Sequence, residues 1–371
     1  MIRYLTSGES HGKGYTLIIE GFPSGFTIDL NYIQQLLSKR QKGVGRSKRS
    51  LWEDNSFDIL SGILEGKTTG APLAFFIPNN FKSQKKPYLE KNLHPRPGHA
   101  DHAGSIKYAH ENIIPVIERA SGRDTVARTL CGTLCLSFLN TFGVESLSHV
   151  INIGGICASR DANFDYIRER LQKSLLHCAN TQAEQEMKGP IEKATREGTS
   201  VGGIGEVRFR GIPIGLGSYV HWDRNLDGSI AKAICSIPGI KGVQFGAGFD
   251  YANLPGHIAH DAFIQDNGFH RRSNHAGGIE GGMSNGEEIV ASFVIKPPSS
   301  LLKPLSSINL SSHSLDKAFV TRSDVCFVQA VCIVAQAVTG IEILNAFLEK
   351  WGGDSHTEIK KHYEASYKHS L

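Results

Sequence analysis

The chain lacks any Cys-x-x-Cys pair, and its seven cysteines (Cys131, Cys135, Cys157, Cys178, Cys235, Cys326 and Cys332) are odd in number and scattered. That argues against a disulfide framework and for a reducing, cytoplasmic compartment. Cys131, Cys135, Cys326 and Cys332 sit among Leu, Val and Ile and read as small apolar core residues. The first residues hold no apolar stretch of signal-peptide length, so no leader is expected. The least polar segment, 325–341, still carries Gln329, Gln336 and Thr339. Gln329 and Gln336 are seven apart and share one helix face, which predicts a buried amphipathic helix and no membrane span. Charge of one sign is lacking too: 40 Lys and Arg stand against 36 Asp and Glu, a net +4. That excess is too small to argue for nucleic acid. No linker stands out, and the 40 glycines are spread along the 371 residues. Against a usual share of ~7% glycine, this excludes collagen-like and linker chains and predicts many tight turns or close backbone approaches.

Local patterns predict the elements. Residues 15–20 (Y-T-L-I-I-E) read as a strand, followed by a turn over 21–25. Asp29 is placed to cap a helix running to about Arg40, with Ile33, Leu36 and Leu37 on its buried face. Residues 78–104, rich in Pro, Lys, His and Gly, predict a long loop. Residues 199–255 look Gly-rich and strand-like, and Asn285-Gly286 reads as a hairpin turn before a strand over 288–295. Two segments share a design. R-A-S-G-R-D (119–124) precedes an apolar-periodic helix ending near Gly143, and T-R-S-D (321–324) precedes a helix from Val325 to about Lys350. Each puts Arg and Ser before a helix start and offers an Asp as cap, which suggests an internal duplication within one compact unit, 1–371.

Four stretches carry groups suited to chemistry. T-S-G-E-S-H-G-K-G (6–14) brackets Ser10 and His11 with glycines that permit close approach of a ligand. Arg40, Lys42, Arg46, Lys48 and Arg49 crowd a loop in which Gly43 and Gly45 allow curling onto an anion. Arg119, Ser121 and Arg123 flank a helix start, where free N–H groups attract anions. H-P-R-P-G-H-A-D-H (94–102) suits an anion or cofactor pocket. A metal-dependent phosphatase on His94, His99, Asp101 and His102 is the alternative there, but Arg96 sits in the middle of those groups. An RNA-binding use of the 40–49 loop is a further alternative; it lacks interleaved aromatics and any RNA-binding motif.

G-E-S-H-G, R-P-G-H-A-D, E-R-A-S-G-R-D-T, G-G-M-S-N-G and R-S-D follow one another in this order between residue 3 and about residue 350. In this the chain resembles the chorismate synthases. The resemblance implies an α+β fold, a single duplicated unit with antiparallel sheets packed against helices. It implies a carbon–oxygen lyase that eliminates phosphate from 5-enolpyruvylshikimate 3-phosphate to give chorismate, the last step of the shikimate pathway. Reduced FMN is required with no net redox change. NAD(P)H is the implied ultimate reductant, delivered through an external flavin reductase, and the implied assembly is a homotetramer.

The resemblance also implies roles. Arg40, Arg46 and Arg49 would grip the substrate anions, the first two also lying near NADP, and Arg96, Arg123 and Arg322 would join that cationic pocket. Arg119, Ala120, Ser121, Pro238, Gly239, Gly281, Lys296, Pro297, Pro298, Ser299, Ser300 and Arg322 match flavin-contact positions. His11 would protonate the leaving phosphate, and His99 would stand at the flavin pyrimidine edge. Asp324, supported by Ser10, would accept a proton from flavin N5. Four positions depart from the family pattern. Gln329 and Gln336 replace the usual Pro and Glu, and His102 and Ala103 replace residues that are often Tyr and Thr.

Overall fold

The first strand, β1 (Arg3–Gly8), turns at residues 9–13 and returns antiparallel as β2 (Gly14–Glu20), with Gly8 opposite Tyr15. Gly8 has φ +125°, and a Cβ there would lie 2.9 Å from the Tyr15 ring, so only glycine closes this turn. The computed structural model describes residues 1–47, 55–79, 91–265, 269–321 and 324–367. Helix α1 (Leu30–Gln41) follows; Asp29 accepts the Tyr32 amide as its N-cap, and Ile33, Leu36 and Leu37 are buried as expected. β3 (Asp58–Ser61) and β4 (Leu73–Pro78) complete a four-stranded antiparallel sheet in the order β1-β2-β4-β3.

Short helices α2 (Asp101–Lys107) and α3 (Ile114–Arg119) interrupt the connection to α4 (Thr125–Asn140). The second half repeats the plan. β5 (Glu145–Ile153) pairs with β6 (Gly203–Arg210), and α5 (Phe164–Leu171) and α6 (Thr181–Glu197) fill the gap between them. Then come α7 (Leu226–Cys235), β7 (Ile240–Phe245), β8 (Ile289–Ile295) and α8 (Val328–Lys350), before a last helix, α9 (His356–Tyr367). The second sheet runs β5-β6-β8-β7, with a short strand, Ile156–Cys157, outside β5. Both sheets thus place their strands in the same order, each crossed by one helix after its second strand and closed by a long final helix. This topology is the duplication that the paired Arg-Ser segments suggested.

α4 and α8 pack closest of all. A Cβ on Gly132 would collide with the Ala337 backbone, and one on Gly340 with the Leu136 side chain. The partners follow in the same order along both helices, so the two run in the same direction and begin at the same end of the molecule. α8 is long and apolar enough to cross a membrane by length and composition, but it is mostly buried in the core. One continuous apolar core draws Leu17 and Phe75 from the first sheet, Val207 and Phe293 from the second, and Leu130 and Ile333 from these helices.

Several expectations give way. Residues 199–255 include helix α7, whose Leu226, Ile230, Ala233 and Ile234 are buried at helical spacing. Asn285-Gly286 turns no hairpin: Asn285 Oδ1 accepts the Glu287 amide, and β8 pairs with β6 and β7. The long loop gives way to helix α2 at Asp101. α8 starts at Val328, three residues later than predicted, and Asp124 and Asp324 cap neither helix. Both acids are taken by arginines instead.

Candidate active site

Ser10 and His11 sit in the β1–β2 turn, pinned to the end of α3. The Ser10 amide donates to the Glu118 carbonyl at 2.9 Å, and the His11 amide to Glu118 Oε2 at 2.8 Å. His11 Nδ1 lies 2.5 Å from Glu118 Oε1, with the histidine side chain 22% and the glutamate 11% exposed. Asn79 Nδ2 closes the turn from β4, donating to the carbonyls of Ser10 and Gly12. The segment before α4 packs onto the same turn. Ser121 donates its hydroxyl to Ser10 Oγ at 3.2 Å, and Arg123 Nη1 donates to the Ser10 carbonyl at 3.0 Å. Ser121 accepts the Arg123 amide, so it caps the single 3-10 turn that leads into α4. Arg119 turns the other way, onto Asp124 (2.7 Å) and Thr6. It lines an open cleft of about 490 Å³ along β1 with Ser7, Glu9, Lys13 and Pro115.

The basic loop docks at the start of α8. Arg40, buried at the end of α1, donates to Thr125 Oγ1 at 3.0 Å and to the Gly122 carbonyl, fastening α1 to the start of α4. Gly45 accepts the Val325 amide at 2.8 Å, Arg46 Nη1 meets Asp324 Oδ2 at 2.5 Å, and the Ser47 amide donates to Asp324 Oδ1 at 2.7 Å. Arg46 Nε is buried without a hydrogen-bond partner among the described residues. Burial raises the neighbouring Cys326 thiol to about 11. Arg49 and Arg322 lie outside the described residues.

A third cluster joins the two long loops that precede α4 and α8. Arg96 clasps the fully buried Asp101 through Nε (2.7 Å) and Nη2 (3.0 Å), and its Nη1 donates to Ser300 Oγ at 2.8 Å. His99 Nδ1 lies 2.6 Å from Asp101 Oδ1. Burial alone would raise the Asp101 carboxyl, but hydrogen bonds from His99 and Arg96 and their charges hold it well below the usual carboxylate range. Lys296 Nζ donates to the Gly98 carbonyl, and its amide to the Gly239 carbonyl at 2.9 Å. Burial, then the charge of Lys241, lowers the Lys296 ammonium. Ser200 donates to the Pro298 carbonyl, fixing the 297–300 turn, and a Cβ on Gly98 would lie 3.7 Å from Ser299. Gly239, next to Pro238, abuts the Phe327 ring just before α8. Gly281 stands at the turn of a separate two-stranded hairpin, Ile279–Glu280 with Met283–Ser284.

Among the described residues, the expected groups other than Gly281 therefore lie on the segments that lead into α4 and α8 or are bonded to them. The residues of the phosphatase alternative diverge: His94 pairs with Asp316 at 3.0 Å, His99 with Asp101, and His102 is exposed. The sequence reading missed Glu118 and Asp101 as partners of the two histidines. Asp101 stood two residues from His99 and was legible as a neighbour. Glu118 is 107 residues from His11, and no local pattern points to the contact.

The family model described as Chorismate synthase matches residues 2–348. A chorismate synthase of Pelobacter propionicus is 42% identical, with 98% of each chain covered, and one of Geobacter metallireducens is 43% identical at the same coverage. A solved structure described as "Crystal Structure of Chorismate Synthase" superposes with a TM-score of 0.81 at 34% identity, covering 99% of this chain and 98% of that one. The chain belongs to the chorismate synthase family. Its activity is conversion of 5-enolpyruvylshikimate 3-phosphate to chorismate, and the chorismate synthase family uses reduced FMN.

The residues present fit these anionic ligands. Two helix starts lie side by side with Arg46 and Arg123 beside them, a setting that favours phosphate and carboxylate. The orphaned Arg46 Nε is a buried donor of the kind that a ligand satisfies. The cleft beside Arg119 falls in the range of about 300–1,000 Å³ usual for cofactor sites.

Proposed function

We propose that His11 is the proton donor to the phosphate leaving C3, and that Asp324 receives the proton lost from C6. The observation that carries this reading is the His11 turn. Its ring is anchored through Nδ1 while its backbone is held beside Ser10, Ser121 and Arg123, so proton transfer to an anion falls to Nε2. Arg46 and Arg123 neutralise the substrate phosphate and carboxylates, with Arg40 and Arg96 bracing the walls; Arg49 and Arg322 belong to the same proposed group. In a site closed to water these cations act strongly on the charge that develops as the C3–O bond breaks. Asp324, its carboxylate held by Arg46 and the Ser47 amide, is oriented as an acceptor, and Ser10 supports it.

Reduced FMN, when bound, supplies the transient electron density that the elimination needs. Arg119, Ala120, Ser121, Pro238, Gly239, Gly281, the turn 296–300 and Arg322 would hold it, and His99, oriented by Asp101, would stand at its pyrimidine edge. Arg40 and Arg46 also lie in the proposed path of NAD(P)H, with the reducing equivalents coming from an external flavin reductase. A homotetramer in the cytoplasm completes this reading, and seven unpaired cysteines suit that compartment. The test is phosphate release from 5-enolpyruvylshikimate 3-phosphate with chemically reduced FMN under anaerobic conditions. We expect turnover only with both present; folded protein that does not turn over contradicts the reading.

A further inference from the structure

The geometry points to Glu118 as the positioning residue of His11, fixing which ring nitrogen carries the proton for transfer; this rests on the proposed role of His11 as proton donor. Both carboxylate oxygens of Glu118 meet one residue. Oε2 accepts the His11 amide at 2.8 Å and Oε1 meets Nδ1 at 2.5 Å. Its carbonyl accepts the Ser10 amide, so three contacts tie the 9–12 turn to the last turn of α3. An ionised carboxylate can only accept, so Nδ1 carries the hydrogen of that contact and Nε2 is the atom left for proton transfer. Residue 118 itself is only 9% exposed, so little solvent competes for the pair.

Glu9, the acid adjacent in sequence, does not take this place. Its carboxylate lies against Gly12 and lines the cleft on β1. Among the described residues, the other charged or titratable groups around the turn are Arg123, on the Ser10 carbonyl, Arg119 and Asp124, paired with each other, Lys13 in the cleft, and Tyr15. None of these has a described contact with Nδ1.

The step balances. The Nε2–H bond breaks, an O–H bond forms on the departing phosphate, and the electron pair stays on Nε2. Glu118 accepts at Nδ1 throughout, so it holds the ring in place as the proton leaves Nε2. A carboxamide at 118 keeps the size but not the charge, and presents a donor to one of the two His11 N–H groups.

The experiment compares wild type with Glu118→Gln, Glu118→Asp and His11→Ala, using prereduced FMN under anaerobic conditions. Glu118→Gln is expected to lower kcat at least ~10-fold, with KM within about threefold. Glu118→Asp restores part of kcat. Independently of turnover, 15N-histidine spectra of the resting wild type, with the signal assigned by its loss in His11→Gln, are expected to show hydrogen on Nδ1. That measurement decides the matter if a Glu118 variant fails to fold. An Nε2–H neutral tautomer overturns the proposal, as does a Glu118→Gln kcat matching wild type while His11→Ala is disabled. Wild-type turnover by His11→Ala overturns the reading of His11 itself.

Discussion

Among the described residues stand two histidine–glutamate pairs, one in each half. In the first, His11 reaches Glu118 at 2.5 Å across a turn, with the ring 22% exposed. In the second, His149 on β5 meets Glu206 on β6 at 3.0 Å, with both side chains 2% exposed. The second pair is closed. Glu206 also accepts from Arg208 Nε at 2.7 Å and from Ser292 Oγ at 3.0 Å, and the His149 carbonyl accepts from Cys332 on α8. These groups converge on Glu206 beneath a helix, and His149 Nδ1 is buried without a hydrogen-bond partner among the described residues. The first pair has the same chemistry at a place where the duplicated fold leaves its β1–β2 turn short and facing a helix start. In the second half the same connection is filled by α5 and α6. On the proposed reading, a histidine beside a carboxylate does chemistry only where its ring reaches the surface and cations stand near it.

The comparison breaks if removing a group from the closed pair costs activity as the open pair should. Glu206→Ala leaves Arg208 and His149 buried without their partner, and is expected to cost about 3–5 kcal/mol of stability, the largest effect here. Urea unfolding measures the loss, and kcat per folded molecule should stay at the wild-type value. A stable, inactive variant would remove the distinction between the pairs.

Acid sharpens the same contrast. Burial would raise the Glu206 carboxyl, yet the contacts from His149 and Arg208 hold it at about 2. Its stabilisation is present above the ordinary glutamate value and is lost as pH falls toward 2. His177, beside this pair, is pushed down to about 3 by burial, then by the charges of Lys39 and His149. It is neutral in the fold, so stability is full above its ordinary value of about 6.5 and declines as pH falls from there toward 3. Unfolding free energy measured from pH 7 to pH 5 should fall at up to roughly 1.4 kcal/mol per pH unit from this group. His177→Gln should flatten that decline, and an unchanged slope would contradict the assignment.

The smallest effect concerns a departure from the family pattern. Gln336 on α8 donates to Ser146 Oγ at 2.9 Å and accepts from Ser148 Oγ at 3.0 Å, tying the helix to β5. Gln336→Ala should cost about 1–3 kcal/mol by stranding these hydroxyls, with turnover unchanged. Melting and kcat together check both halves of that statement. Gln329 has a buried Oε1 without a partner among the described residues, close to Gly43 of the basic loop. Nothing in the structure explains that replacement.

Much of this was legible before the fold was known. The Asp29 cap, the α1 face, the end of α4 and the five ordered motifs are local signals, and each is written within a few turns of chain. The duplication was visible only as two Arg-Ser helix starts; its proof lies in matching strand order, which needs pairings across hundreds of residues. Helix α7 was readable from Leu226, Ile230 and Ala233, but glycines on both sides masked the period. Asp124 and Asp324 misled because a capping residue and an arginine partner look alike in sequence. Glu118 was invisible for the opposite reason. It sits inside the motif E-R-A-S-G-R-D-T, yet only tertiary packing brings it to His11.

Proton delivery by His11 is tested most directly by single-turnover phosphate release from 5-enolpyruvylshikimate 3-phosphate with prereduced FMN, comparing wild type with His11→Ala. Loss of a positioned general acid predicts a rate at least ~100-fold lower, with substrate affinity largely retained. Release by His11→Ala at the wild-type rate would contradict it.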